Sequence, residues 1–238
     1  MAKVAICIPS GDMVHADFAM SLAALAHGCG RFAQNDVVHE AVNIALINAK
    51  GSLIVNNRNL LVKQAQSLGV DYLFFVDSDM IFPQYTLRRL LSHDKDIVGC
   101  TYIQREEPHR LLGKAIDDRQ LDEAVSGTNL PELMEVGALP GGCMLIKLSA
   151  FKEMAKPYYR TPAHQDAVDG NEWIEGEDYY FCRKAREKGL SILQKKVKDF
   201  DTVKIFREIK EKISADIKEM DFEQLTAYLN KTKIKSQN

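Results

Sequence analysis

Between Lys3 and Leu193 the chain alternates between two patterns of apolar and polar positions. Short continuous apolar runs read as strands: Val4-Ala5-Ile6-Cys7-Ile8, buried; Ile44-Ala45-Leu46-Ile47; Tyr72-Leu73-Phe74-Phe75-Val76, a central strand covered on both faces; Ile97-Val98-Gly99-Cys100; Met144-Leu145-Ile146; and Leu190-Ser191-Ile192-Leu193. Between them apolar residues recur at helical spacing. Phe18, Ala19, Leu22, Ala23 and Ala26 mark a helix over His15–Ala26, and Leu61, Ala65 and Leu68 mark one over Asn57–Leu68. Leu87, Leu90 and Leu91 mark a third, with Pro83 suited to its first turn. A fourth runs over Glu177–Lys188, and Gly28, Gly69 and Gly189 stand where helices stop.

This alternation predicts an α/β fold with a mainly parallel central sheet. Cys29–Asn43 sustains neither period and reads as a loop with some helix. Charge, Pro108 and Pro131 dominate from Gln104 to Glu135, a surface excursion that suits substrate binding.

From Lys195 onward the pattern changes to alternating Lys, Glu and Asp, with Val203, Phe206, Ile209, Ile213, Ile217 and Met220 on one helical stripe. Asp221 with Gln224 resembles a capping box for a second helix carrying Leu225, Tyr228 and Leu229. The expected organisation is one α/β domain over residues 1–195 and a helical C-terminal extension over 196–238. That stripe either packs on the core or docks a protein partner or a second copy of the chain through residues 200–229.

Bulk properties narrow the function. A chain of 238 residues supports one substantial domain, and a net charge of −2 points away from nucleic acid and towards a small partner. The five cysteines show no C-x-x-C pair, so they read as reduced core thiols. The apolar run before Pro9 is too short for a signal peptide, and no stretch has transmembrane length, which implies a cytoplasmic protein.

Asp77-Ser78-Asp79 follows the most apolar strand. Two carboxylates at that edge repel each other, and a divalent cation relieves the repulsion where an open α/β sheet binds its ligands. Two solvated loop aspartates are the plain alternative. Glu177-Asp178 opens a helix, where the dipole favours carboxylates and free N–H groups need caps.

These segments resemble, in order, the landmarks of GT-A glycosyltransferases. The opening strand runs into Pro9-Ser10-Gly11-Asp12, and Asn56-Asn57-Arg58-Asn59 precedes a helix. The D-x-D element Asp77-Ser78-Asp79, the Leu139-Pro140-Gly141-Gly142-Cys143 turn and Glu177-Asp178 complete the series. The resemblance implies a nucleoside-diphosphate sugar donor and a glycan or other hydroxyl acceptor. It places Pro9, Ser10 and Asp12 near the nucleoside and Arg58 near its base or phosphates. Asp77, with Ser78 beside it, faces the ribose and metal-bound water, and Asp79 ligates Mn2+ or Mg2+. Asp178 becomes the general base of an inverting enzyme, with Glu177 orienting the acceptor or the base.

Gly141 and Gly142 let backbone approach an acceptor sugar, or answer a turn that needs positive φ. Trp173, the single tryptophan, stacks on an acceptor or packs as an ordinary aromatic. His109 and His164 read as surface histidines. The family commonly supplies a third metal ligand, often a histidine, after its last core strand, and this chain has none beyond His164. Two other readings follow: a non-catalytic nucleotide-sugar-binding remnant acting through its helical tail, and a haloacid dehalogenase-type phosphatase with Asp77 as nucleophile.

Overall fold

The structure, a computed structural model, describes residues 1–30, 32–34, 37–104, 110–121, 123, 131–165 and 170–195. The expected tail helices and the 196–238 extension therefore lie outside the described residues, as does His109.

A seven-stranded sheet organises the fold. Its strands are β1 (Lys3–Ser10), β4 (Asn43–Lys50), β5 (Tyr72–Val76), β6 (Ile97–Cys100), β7 (Leu133–Val136), β8 (Cys143–Lys147) and β11 (Ile192–Lys195), in the spatial order β4-β1-β5-β8-β6-β11-β7. β4, β1 and β5 are mutually parallel, β8 runs antiparallel between β5 and β6, β11 is parallel to β6, and β7 is antiparallel to β11. Five strands therefore share one direction, and the α/β, mainly parallel expectation holds. The C-terminal ends of these five strands form one edge, where ligands of open α/β sheets bind.

Both faces of β1 and β5 are covered, which is why their sequences are continuous apolar runs. Ala5, Cys7, Leu73 and Phe75 belong to a buried cluster with Leu61, Val62 and Ala65 of α2 (Ile54–Leu68) and Phe181, Cys182 and Ala185 of α4 (Glu177–Glu187). Val4, Ile6, Phe74 and Val76, on the alternate positions, are fully buried too. Each fully buried side chain of this size contributes about 1.5–3 kcal/mol. All five cysteines are free and buried.

Several boundaries differ from the sequence expectation. α2 begins at Ile54 rather than Asn57. α3 (Thr86–Leu91) begins three residues after Pro83, whose carbonyl accepts the Thr86 N–H at 3.0 Å, so the proline sits in the preceding turn. The last strand slides to Ile192–Lys195, because Leu190 N–H still donates to Ala185 O at the exit of α4 and Gly189 turns at φ 76°. Cys29–Asn43, expected as loop and helix, holds the hairpin β2 (Phe32–Gln34) and β3 (Val37–His39) after α1 (Ala16–Gly28). The Gln104–Glu135 excursion contains most of β7, whose pairing comes from β11 and not from its own sequence. A hairpin of β9 (Ala163–Gln165) and β10 (Glu172–Ile174) precedes α4.

Candidate functional site

At the ligand-binding edge, the loop after β5 and the start of α4 meet across the turn Gly141-Gly142 that enters β8. All four backbone polar groups of this turn are engaged by residues of the site. Gly141 N–H donates to Asp178 Oδ2 at 2.9 Å, and Gly141 C=O accepts from Arg58 Nη1 at 3.3 Å. Gly142 N–H donates to the Tyr102 hydroxyl at 2.9 Å, and Gly142 C=O accepts from Asp77 N–H at 3.2 Å.

Neither glycine has positive φ, which among the described glycines occurs instead at Gly69, Gly113, Gly170 and Gly189. What excludes a side chain is space. A Cβ on Gly141 would stand 2.7 Å from Arg58 Nη2, and one on Gly142 would meet the Tyr102 hydroxyl and, at 2.9 Å, Asp77 Oδ2. The turn is thus occupied by the protein's own side chains, a third outcome beside the two alternatives read from the sequence.

Arg58, on α2, is the hub of the junction. Its side chain is 3% exposed; Nη2 donates to Asp77 Oδ1 at 3.0 Å and Nε donates to Glu177 Oε1 at 3.0 Å, while the guanidinium lies 5.3 Å from the Phe75 ring centroid. A buried arginine with three engaged nitrogens fixes the carboxylates around it, since removing either partner would strand a charge in low dielectric.

Asp77 is shifted upward by burial, which Arg58 opposes and the neighbouring Asp79 charge reinforces. Asp79 and Ser78 are half-buried, and Ser78 C=O accepts the His15 N–H at 3.0 Å, which ties the start of α1 to this loop. Asp178 is pushed up to about 6 by burial and then by the charge of Glu177, against the Gly141 N–H and Arg58. Its Oδ1 accepts the Tyr179 N–H at 2.8 Å. One carboxylate therefore serves the first turn of α4 with one oxygen and the Gly-Gly turn with the other. A carboxylate near 6 is well placed to take a proton at neutral pH.

Among the described residues no group of three or more His, Cys, Asp or Glu side chains could hold a metal unaided. The donor set after β5 is Asp77, with Oδ1 committed to Arg58, and Asp79. This set does not fit a closed all-protein cage. It does fit a hard cation shared with a diphosphate, because Mg2+-like ions commonly take only one or two carboxylates and complete their shell with phosphate and water.

The remaining candidates are spread around this junction. Pro9 and Ser10 are buried at the end of β1; Ser10 Oγ accepts from Asn48 Nδ2 at 2.8 Å, and Asn57 Nδ2 donates to Ser10 O at 3.5 Å. Asp12 is solvent-exposed and pairs with Lys50 at 2.8 Å. Trp173, 47% exposed on β10, stacks on His164 with centroids 4.5 Å apart. His164 Nε2 lies 3.2 Å from Glu175 Oε2, which Arg183 also holds, so this imidazole belongs to the hairpin. Tyr102 went unnoticed in the sequence; its position just beyond an apolar strand, at the ligand-binding edge, was the available signal.

No helix among the described residues is long and apolar enough to cross a membrane. No protein-family model and no curated protein matches the chain. Among solved structures it is similar to A197 from STIV, at 15% identity over 82% of this chain and 81% of that one, with a TM-score of 0.49. It is also similar to GalNAc-T7, solved with UDP, GalNAc and Mn2+, at 11% identity over 82% of this chain and 42% of that one, with a TM-score of 0.47.

Proposed function

We propose that the chain is a GT-A glycosyltransferase, with its catalytic domain over residues 1–195, that moves a sugar from a nucleoside diphosphate sugar to an acceptor hydroxyl with inversion. One observation carries the reading. The Gly141-Gly142 turn joins Asp77, after β5, to Asp178, at the start of α4, so the donor-side and base-side carboxylates of the motif series share one junction.

Asp178 removes the proton of the acceptor hydroxyl, and the resulting oxygen forms a bond to the anomeric carbon from the face opposite the leaving group. The anomeric C–O bond breaks as the new bond forms, and its electron pair departs with the nucleoside diphosphate. Gly141 N–H and Tyr179 N–H orient the Asp178 carboxylate, and each oxygen keeps a second lone pair for the acceptor. Glu177, held by Arg58, sets the charge beside that base. Arg58 acts here by positioning Asp77 and Glu177.

Mn2+ or Mg2+, held by Asp79 and Asp77, would supply neutralisation of the charge on the departing diphosphate. Pro9, Ser10 and Asp12 line the nucleoside side, and the exposed face of Trp173 offers an apolar plate to a glycan acceptor.

A thermal-shift series with UDP, GDP, CDP and dTDP, each with and without Mn2+, tests the reading on the wild type and Asp79→Ala. The expected result is one nucleotide that stabilises the wild type only with metal and leaves Asp79→Ala unmoved. Absence of any nucleotide-dependent shift in the wild type would sink the proposal.

A further inference from the structure

The Tyr102 hydroxyl plays one visible part in the junction, as the acceptor of the Gly142 N–H. Among the described residues no hydrogen bond takes its own proton. It stands close to the carboxylate after β5, because Tyr102 OH and Asp77 Oδ2 would both crowd the same Cβ position on Gly142. Burial first, then the charges of Asp77 and Asp178, drive its pKa well above the ordinary phenol value. A tyrosine phenol is a neutral O–H at neutral pH and can donate. The backbone on either side is fixed: Tyr102 C=O accepts the Leu112 N–H at 2.9 Å, and Gln104 N–H donates to Arg110 O at 2.8 Å.

The surroundings select the kind of oxygen that can take this proton. Two carboxylates lie near the phenol, so a phosphate oxygen brought there, able only to accept, would offer them no donor. A sugar hydroxyl meets no such penalty, since it accepts from Tyr102 and passes its own proton to a carboxylate oxygen.

We infer that Tyr102 is a sugar-binding residue: its hydroxyl, braced by the Gly142 N–H near Asp77 and Asp178, donates a hydrogen bond to a ring hydroxyl of the transferred sugar. The inference rests on the glycosyltransferase reading and adds to it a specificity-determining contact directed at the sugar and not at the nucleotide.

Calorimetric titration separates the two. UDP, GDP, CDP and dTDP, and hexose conjugates of each, are titrated with Mn2+ into the wild type, Tyr102→Phe, and protein carrying 3-fluorotyrosine at position 102. The quantity read is the ratio of the Kd of the sugar nucleotide to the Kd of its nucleoside diphosphate, which cancels any general loss of fold or of nucleotide affinity. Tyr102→Phe is expected to raise this ratio about five- to tenfold, the usual worth of one hydrogen bond, and 3-fluorotyrosine to keep the wild-type ratio. An unchanged ratio in Tyr102→Phe, whether or not both affinities weaken together, would overturn the inference and leave the glycosyltransferase reading standing. A ratio raised equally by 3-fluorotyrosine would overturn it as well. A wild type that binds none of the nucleotides or conjugates would bring down both.

Discussion

Two neighbouring parallel strands, β1 and β5, deliver their C-terminal ends to the same edge of the sheet, yet the two ends are built differently. After β5, Asp77 is held by buried Arg58 and by Gly142, and its surroundings extend through Gly141 to Asp178. After β1, the chain runs through Gly11, where a Cβ would meet nothing within 4 Å, to Asp12, which pairs with Lys50, itself more than half exposed. The contrast teaches where this protein is preorganised. Asp77 and Asp178 at the junction are fixed by their partners and shifted by burial before any ligand arrives, whereas the charge at the end of β1 is screened by water and tuned only by a surface lysine.

The comparison breaks most visibly at Arg58. Arg58→Met strands Asp77 and Glu177 without their buried partner and is expected to cost about 3–5 kcal/mol in chemical denaturation. A loss no larger than that of an ordinary surface substitution would mean that the junction is not interlocked.

Asp178→Asn should come next, lowering transfer about 10²–10⁴-fold while nucleotide binding measured by calorimetry is retained. Because the folded-state pKa of Asp178 is raised to about 6, the stability it contributes is full below the ordinary carboxylate range and is lost as pH rises towards that value. The melting midpoint of Asp178→Asn relative to wild type should therefore climb between about pH 4 and about pH 6.5 and then level off. Wild-type transfer should rise over the upper part of that window, as the base ionises.

A smaller effect is expected from Gly142→Ala, whose methyl meets Tyr102 and Asp77: about 1–3 kcal/mol, partly recovered when Tyr102→Phe is added. At the far end of the scale, Asp12→Asn should leave the melting midpoint where it is. A measurable destabilisation there would show that the end of β1 is organised after all.

Much of the scaffold was legible because it depends on local patterns. β5 matches its apolar run residue for residue, and α4 starts where Glu177-Asp178 opens the helical pattern. Elements whose existence depends on a distant partner were not legible. β7 is a strand because β11 offers it an edge, and the hairpins β2–β3 and β9–β10 are three-residue pairs too short for any periodicity. The same division runs through the site. Asp77 and Asp79 stand out as charges after an apolar run and Glu177 and Asp178 as charges that open a helix, whereas Tyr102 is marked only by following an apolar strand.

The sequence by itself determined the order of the principal buried strands and of the helices between them, the apolar faces that build the sheet, and the places where carboxylates stand at strand and helix ends. Those properties follow from hydrophobic periodicity and from the cost of leaving charge in a core. Only the tertiary structure decided that Arg58 binds Asp77 and Glu177 together, that Gly141 and Gly142 are glycines for lack of space, and that the Tyr102 hydroxyl accepts the Gly142 N–H. Each of these rests on side chains and backbone groups far apart in the chain, and packing alone sets the distances at which their charges and hydrogen bonds act.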